Sequence, residues 1–187
     1  TTILGGFAIC DLQNITFKEM TVTNTRPHDS FDCTSGTGIH MSNAKVELFD
    51  VALKGCGDTG LSIKSSTSQT TVVATRCEFA NTGVVKEFSQ DVGAIVFGSL
   101  TSVKFNNCLF HDNGGPGLLG YESIIHLHGE ATAIHSNGGC GIGAFNSAQV
   151  IIHLSSNHNT FYNNGEEEGY SHDRHAEGGG TITNVDD

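Results

Sequence analysis

One short phrase recurs along this chain, and its recurrence limits the fold more than any other feature. In residues 103–117 the apolar places are Val103, Phe105, Cys108 and Phe110, and the phrase breaks at Asn113-Gly114-Gly115. Ile15, Phe17, Met20 and Val22 occupy the same four places, followed by Asn24. Val46, Leu48, Val51 and Leu53 repeat them, closed by Gly55, and Val72, Ala74, Cys77 and Phe79 are closed by Asn81 and Gly83. A further copy reads Leu127, Gly129, Thr132 and Ile134 before Asn137-Gly138-Gly139. The last is looser: Val150, Ile152 and Leu154, with Phe161 before Asn163-Asn164-Gly165.

Each copy follows a short strand opened by glycine: Gly38-Ile39-His40-Met41, Gly60-Leu61-Ser62-Ile63, Gly93-Ala94-Ile95-Val96, Gly117-Leu118-Leu119 and Gly141-Ile142-Gly143-Ala144. These glycines are spaced 22, 33, 24 and 24 residues apart, a unit near two dozen with one insertion at 84–91. Alternation of the Val-x-Phe kind puts both side chains on one face of a strand. The extra residue between Phe105 and Cys108 breaks the alternation, as a corner between two strands would. A unit this short cannot bury its apolar face alone, but stacked units can. Strands of successive units then run parallel, and parallel crossovers are right-handed in nearly all cases.

The repeated Gly-Ile/Leu strand, Val-x-Phe strand and Asn-Gly corner resemble the right-handed parallel β-helix family, the pectin-lyase-like solenoids, over Ile3 to Gly165. The resemblance implies an all-β, single-stranded right-handed parallel β-helix of about six to seven coils. A leucine-rich repeat would need a dense leucine consensus, which is absent. A β-sandwich would show hairpin turns without a shared register. We expect β-helix coils over residues 1–165, an acidic, His-rich loop over 166–180, and a final solenoid strand over 181–187.

Composition fits a narrow core with many corners: 37% hydrophobic residues, 24 glycines and no Trp. No apolar run is long enough to span a bilayer. The chain opens Thr1-Thr2-Ile3-Leu4, with neither Met nor a signal peptide. We therefore expect a mature product or, better, a piece of a larger chain. Open coil ends are adhesive, so further coils or end-to-end self-association are expected to continue the stack.

Charge is unevenly placed. Residues 1–104 carry eight Lys/Arg against ten Asp/Glu, net −2, whereas residues 105–187 carry only Arg174 against ten acids, net −9. Eight of the ten histidines also lie in the second part. An acidic surface argues against a nucleic-acid partner and against an anionic membrane. If the histidines titrate near their ordinary value of about 6.5, acid would bring that part close to neutral. The plain alternative is outward polar positions with no switch. Cys77 and Cys108 share one inward place and read as core thiols. Cys33 and Cys56 lie near adjacent strand-opening glycines, but a bridge there cannot be fixed from sequence.

Four groups of residues have types suited to chemistry. If Val103/Phe105, Ile125/Leu127 and Ile152/Leu154 point inward, then Lys104, His126 and His153 point outward and stack, with His128 following on the same strand. Imidazoles at that spacing could hold a divalent metal, with Glu130 nearby, or form a proton-transfer pair. An outward sheet face equally needs some polar residue at each place. A second group, His172, Asp173 and His175, belongs to the loop 166–177, and loops of this kind often form a solenoid's binding surface. A run of three Glu there also reads as a solvated loop. The third joins Asp29 and Asp32, in the corner 26–33, with Asp58 a coil away. Paired carboxylates are what a glycoside hydrolase needs, although aspartates are also ordinary turn residues. The fourth is an Asn column, Asn24, Asn81, Asn113, Asn137 and Asn164, read as a structural ladder.

The family resemblance implies either polysaccharide-active enzymes (lyases, hydrolases, epimerases) or tailspikes, adhesins and surface proteins. Polygalacturonase and mannuronan-epimerase signatures do not occur in catalytic context, and the one Asp-Asp is Asp186-Asp187 at the end. Lyase chemistry would need a basic residue beside a metal-bound uronate, and Lys64, Arg76 and Lys104 are the candidates. Our sequence reading is a non-enzymatic segment of a larger extracellular or surface protein, a scaffold or a rod binding a polysaccharide or protein partner. The alternative is a polysaccharide-active enzyme with its cleft on one outer face. No cofactor is called for, and the metals such a surface could hold are calcium or zinc.

Overall fold

A computed structural model describes residues 1–26, 35–65, 67–83, 91–153, 160–165 and 173–185. Among these there is no helix, and every strand pairing is parallel. The strands form three faces of a prism. The first face stacks β2 (Phe7–Cys10), β4 (Ile39–Ser42), β6 (Leu61–Ile63), β9 (Ala94–Phe97), β12 (Leu118–Tyr121), β15 (Ile142–Phe145) and β18 (Arg174–Glu177). The second stacks the opening halves of β3 (Ile15–Thr23) and β5 (Lys45–Lys54), then β7 (Thr70–Thr75), β10 (Thr101–Asn106), β13 (Ile124–His128), β16 (Gln149–His153) and β19 (Thr181–Val185). The third runs from β1 (Thr2–Leu4) through the closing halves of β3 and β5 to β8 (Glu78–Ala80), β11 (Leu109–His111), β14 (Ala133–His135) and β17 (Thr160–Tyr162). This makes six complete coils, with β1 before them and β18 and β19 opening a seventh, as the repeat predicts.

The corner between the second and third faces falls where alternation breaks. Glu19, Asp50, Arg76 and Asn107 stand there with φ of 51°, 52°, 53° and 52°, a left-handed turn that re-aims the chain so that both flanking strands face the same interior. Phe17, Leu48, Phe79, Phe105 and Leu127 all lie in one continuous core. Phe79 stacks on Phe110 at 4.7 Å, and Phe105 meets both rings edge-on, at 5.5 and 5.0 Å. Cys77 and Cys108 line this core as expected, and each thiol contacts a carbonyl of the preceding coil, that of Leu48 and of Ala74 respectively. Burial pushes the Cys108 thiol well above its ordinary value and that of Cys56 up to about 11. Cys33 lies outside the described residues.

The glycines that open first-face strands sit where coils touch. A Cβ on Gly117 would lie 2.8 Å from the Gly141 carbonyl oxygen, and one on Gly141 would lie 2.7 Å from that of Asp173. Beside them runs the buried amide ladder. Asn113 Nδ2 donates to Asn137 Oδ1 at 2.8 Å, Asn137 Nδ2 to Asn164 Oδ1 at 2.9 Å, and Asn164 Nδ2 to Asp173 Oδ1 at 2.8 Å.

The structure corrects the sequence reading of the coils in three places besides the histidine register. Asn81 is exposed at a left-handed corner (φ 54°), and Thr82 takes the ladder position, its hydroxyl donating to Asn113 Oδ1 at 2.9 Å. The fifth coil's inward pair is Ile125 and Leu127, matched to Val103 and Phe105, whereas Gly129 lies in the corner. Residues 174–177, read as loop, form β18 against β15, and Arg174 follows Ile142 in column and covers the Phe161 ring at 4.7 Å.

Candidate functional site

The second face carries the densest chemistry among the described residues. Inward Val103/Phe105, Ile125/Leu127 and Val150/Ile152 leave the alternate side chains outward. Lys104 pairs with His126 and Asn106 with His128; His126 then pairs with Ile151, and His153 falls beside His128. The expectation that Lys104, His126 and His153 share one column is therefore wrong by two residues. The run Val150-x-Ile152-x-Leu154 alternates throughout, so a slip of two keeps every side chain on its proper face. Leu154 lies outside the described residues.

Corrected register brings the three histidines closer together. The rings of His128 and His153 stack at 3.8 Å with an 11° interplanar angle. His126 Nδ1 and His153 Nε2 approach to 3.0 Å, one ring nitrogen donating to the other. One nitrogen from each of the three lies within 4.8 Å of the others, and all three side chains are half-buried. Desolvation, helped by His153 and Lys104, holds His126 below its ordinary pKa, so its neutral, electron-donating form is favoured. Glu130, exposed in the turn after β13, does not join this group.

Among the described residues the other candidates lie apart. Asp58 is buried in the corner between the third and first faces, where Thr59 Oγ1 donates to its Oδ2 at 3.3 Å. Lys104 stands on the second face. Asp173 ends the amide ladder, whereas His175 projects from the first face, 5.4 Å from the Phe145 ring and with Nε2 3.6 Å from Glu177. Asp29, Asp32 and His172 lie outside the described residues.

Two arrangements escaped the sequence reading. On the first face Phe97, Tyr121 and Phe145 stack outward at 5.0 Å intervals, packed against buried Ile95 and Leu119, with Lys64 Nζ 5.0 Å from the Phe97 ring. The unbroken apolar triplets Ala94-Ile95-Val96 and Leu118-Leu119-Gly120 were the available signal, since a strand buried on both sides loses its alternation. On the third face Glu78 accepts from Lys54 at 2.6 Å and meets His111 Nε2 at 2.8 Å; His111 stacks on His135, and His135 on Tyr162. Burial pushes the Glu78 carboxyl up, but hydrogen bonds from Lys54 and His111 outweigh it and hold the pKa below the ordinary value.

A three-faced stack of parallel coils with an internal amide ladder defines a solenoid whose outer faces are free to vary. The family model for a right-handed beta helix region matches residues 5–185, and the chain belongs to that family. Some members act on polysaccharides. No curated protein and no solved structure matches the chain.

Proposed function

We propose that this β-helix is a non-enzymatic segment of a larger extracellular or surface protein, a scaffold whose outer faces bind a glycan or protein partner. The observation that carries the reading is the contrast between its outer rings and its acids. Phe97, Tyr121 and Phe145 form a ribbon across three successive coils. Asp58 and Asp173, the described acids proposed for chemistry, are instead bonded to Thr59 and Asn164. A ribbon of ring edges flanked by Lys64 and His175 suits an extended partner lying along the coils. Among the described residues no helix is long and apolar enough to cross a membrane. Further coils, or a second copy, extend the stack through the outer edges of β18 and β19.

The second reading, a polysaccharide lyase, hydrolase or epimerase, draws on one observation. Lys104 stands in register with His126, which is itself bonded to His153, so a base and a proton relay adjoin on one face. One experiment separates the two. The chain is incubated with a panel of acidic and neutral glycans, with and without calcium, and both retention and product release are followed. Saturable retention without product, weakened by Tyr121→Ala, is the expected result. Product formation abolished by Lys104→Ala would establish the enzymatic reading instead. Light scattering over a concentration series tests end-to-end assembly.

A further inference from the structure

We infer that His126, His128 and His153 form a binding site for a zinc-class divalent ion, clipping the fifth coil to the sixth and leaving a coordination position open on the outer surface. His126 and His128 are two residues apart on β13, and His153 lies on the adjacent β16. Their backbones are thus fixed by two hydrogen-bonded strands of the solenoid rather than by a loop. A tetrahedral ion with bonds of about 2.0–2.1 Å needs ligand nitrogens about 3.3 Å apart. His126 Nδ1 and His153 Nε2 already stand at 3.0 Å, and no pair in the set exceeds 4.8 Å. Side-chain torsions close the remainder, without moving the strands.

The donor set selects the ion. Among the described residues the set is three imidazoles without a carboxylate, which suits zinc and its neighbours, whereas calcium takes six to eight oxygens. Of the two metals the sequence allowed for this surface, nitrogen ligation therefore points to zinc. The site is half-buried, flanked by Ile151 and by Asn106, so desolvating the ion costs less than in a closed core. Three protein ligands leave a fourth position for water or for a donor atom of a bound partner. Lys104, the cation in register with His126, opposes the bound charge, while the chain's net charge of −11 attracts it from a distance. This site stands on its own geometry and does not depend on the glycan-binding reading.

The test is calorimetric titration of the tag-free, chelator-stripped chain with Zn²⁺ alone. We expect one saturable ion per chain. Affinity should fall about tenfold or more in His128→Gln and in His153→Gln, and remain at the wild-type value in His135→Gln, whose ring lies on another face. Lys104→Ala touches no ligand and should tighten binding by about threefold, since it removes a like charge. This keeps the test open should a histidine variant fold poorly. Titration with Co²⁺ should give the intense visible bands of a four-coordinate, nitrogen-rich site in the wild type but not in His153→Gln. Absence of saturable binding to the wild type, or affinity unchanged in both His128→Gln and His153→Gln, would overturn the assignment.

Discussion

The second and fifth coils share one interior plan and differ almost wholly outside. In the second, the inward second-face pair is Val46 and Leu48, with Glu47 and Phe49 outward; in the fifth the inward pair is Ile125 and Leu127, with His126 and His128 outward. The interiors interchange because each coil must continue the same apolar column, whereas the outward places owe nothing to the coils above and below beyond tolerating them. Hence Glu47 and Phe49 of the second coil give way to His126 and His128 in the fifth, on the outside of one shared interior plan. Function in such a molecule belongs to the exterior, and stability to the column and the ladder.

That division can be broken at its strongest point first. Phe105 is fully buried between Phe79 and Phe110, so Phe105→Ala should cost about 3–5 kcal/mol in urea unfolding. The outward Val73→Ala should change stability by about 0.5 kcal/mol or less. Comparable losses at both would refute the separation of interior from exterior.

The ladder comes next. Asn137 donates to Asn164 Oδ1 and to the Phe110 carbonyl while accepting from Asn113 Nδ2. Asn137→Ala leaves several buried groups unpaired and should cost about 2–4 kcal/mol. Asn81→Ala, at the exposed corner one residue before the ladder, should cost about 1 kcal/mol, from its left-handed backbone alone. Parallel denaturation curves decide whether ladder membership or asparagine itself matters.

The smallest effect sharpens the comparison through pH. Desolvation, reinforced by Lys64 at His40 and by His111 at His135, lowers both imidazole pKa values. The unfolded chain therefore binds more protons than the folded one below the ordinary value of 6.5. Stability should be full above that value and decline as pH falls through the lower folded values. Glu78, held low by Lys54 and His111, would add its own loss only below its ordinary 4.5. Acid thus weakens the fold. Melting temperature measured from pH 8 to 5 should fall monotonically, and His40→Gln should flatten part of that fall; a rise on acidification would contradict the assignment.

Much of the architecture was written in the chain. Alternation at Val103-x-Phe105, its interruption before Cys108 and the glycine beginning each first-face strand determined the inward set, the corners and the parallel stack. These are local properties, since a strand's two faces follow from its own pleat. The chain alone also marked His126, His128 and His153 as outward. Tertiary structure decided which of them meet. The offset between coils depends on where each corner returns the chain, and alternating runs such as 150–154 accept any even slip without moving a side chain to the wrong face. The way the coils close also decided that Thr82 rather than Asn81 entered the ladder, and that Ile95 and Leu119 acquired an apolar cover of rings. Sequence fixes which way a side chain points, but only the closed stack of coils fixes what stands beside it.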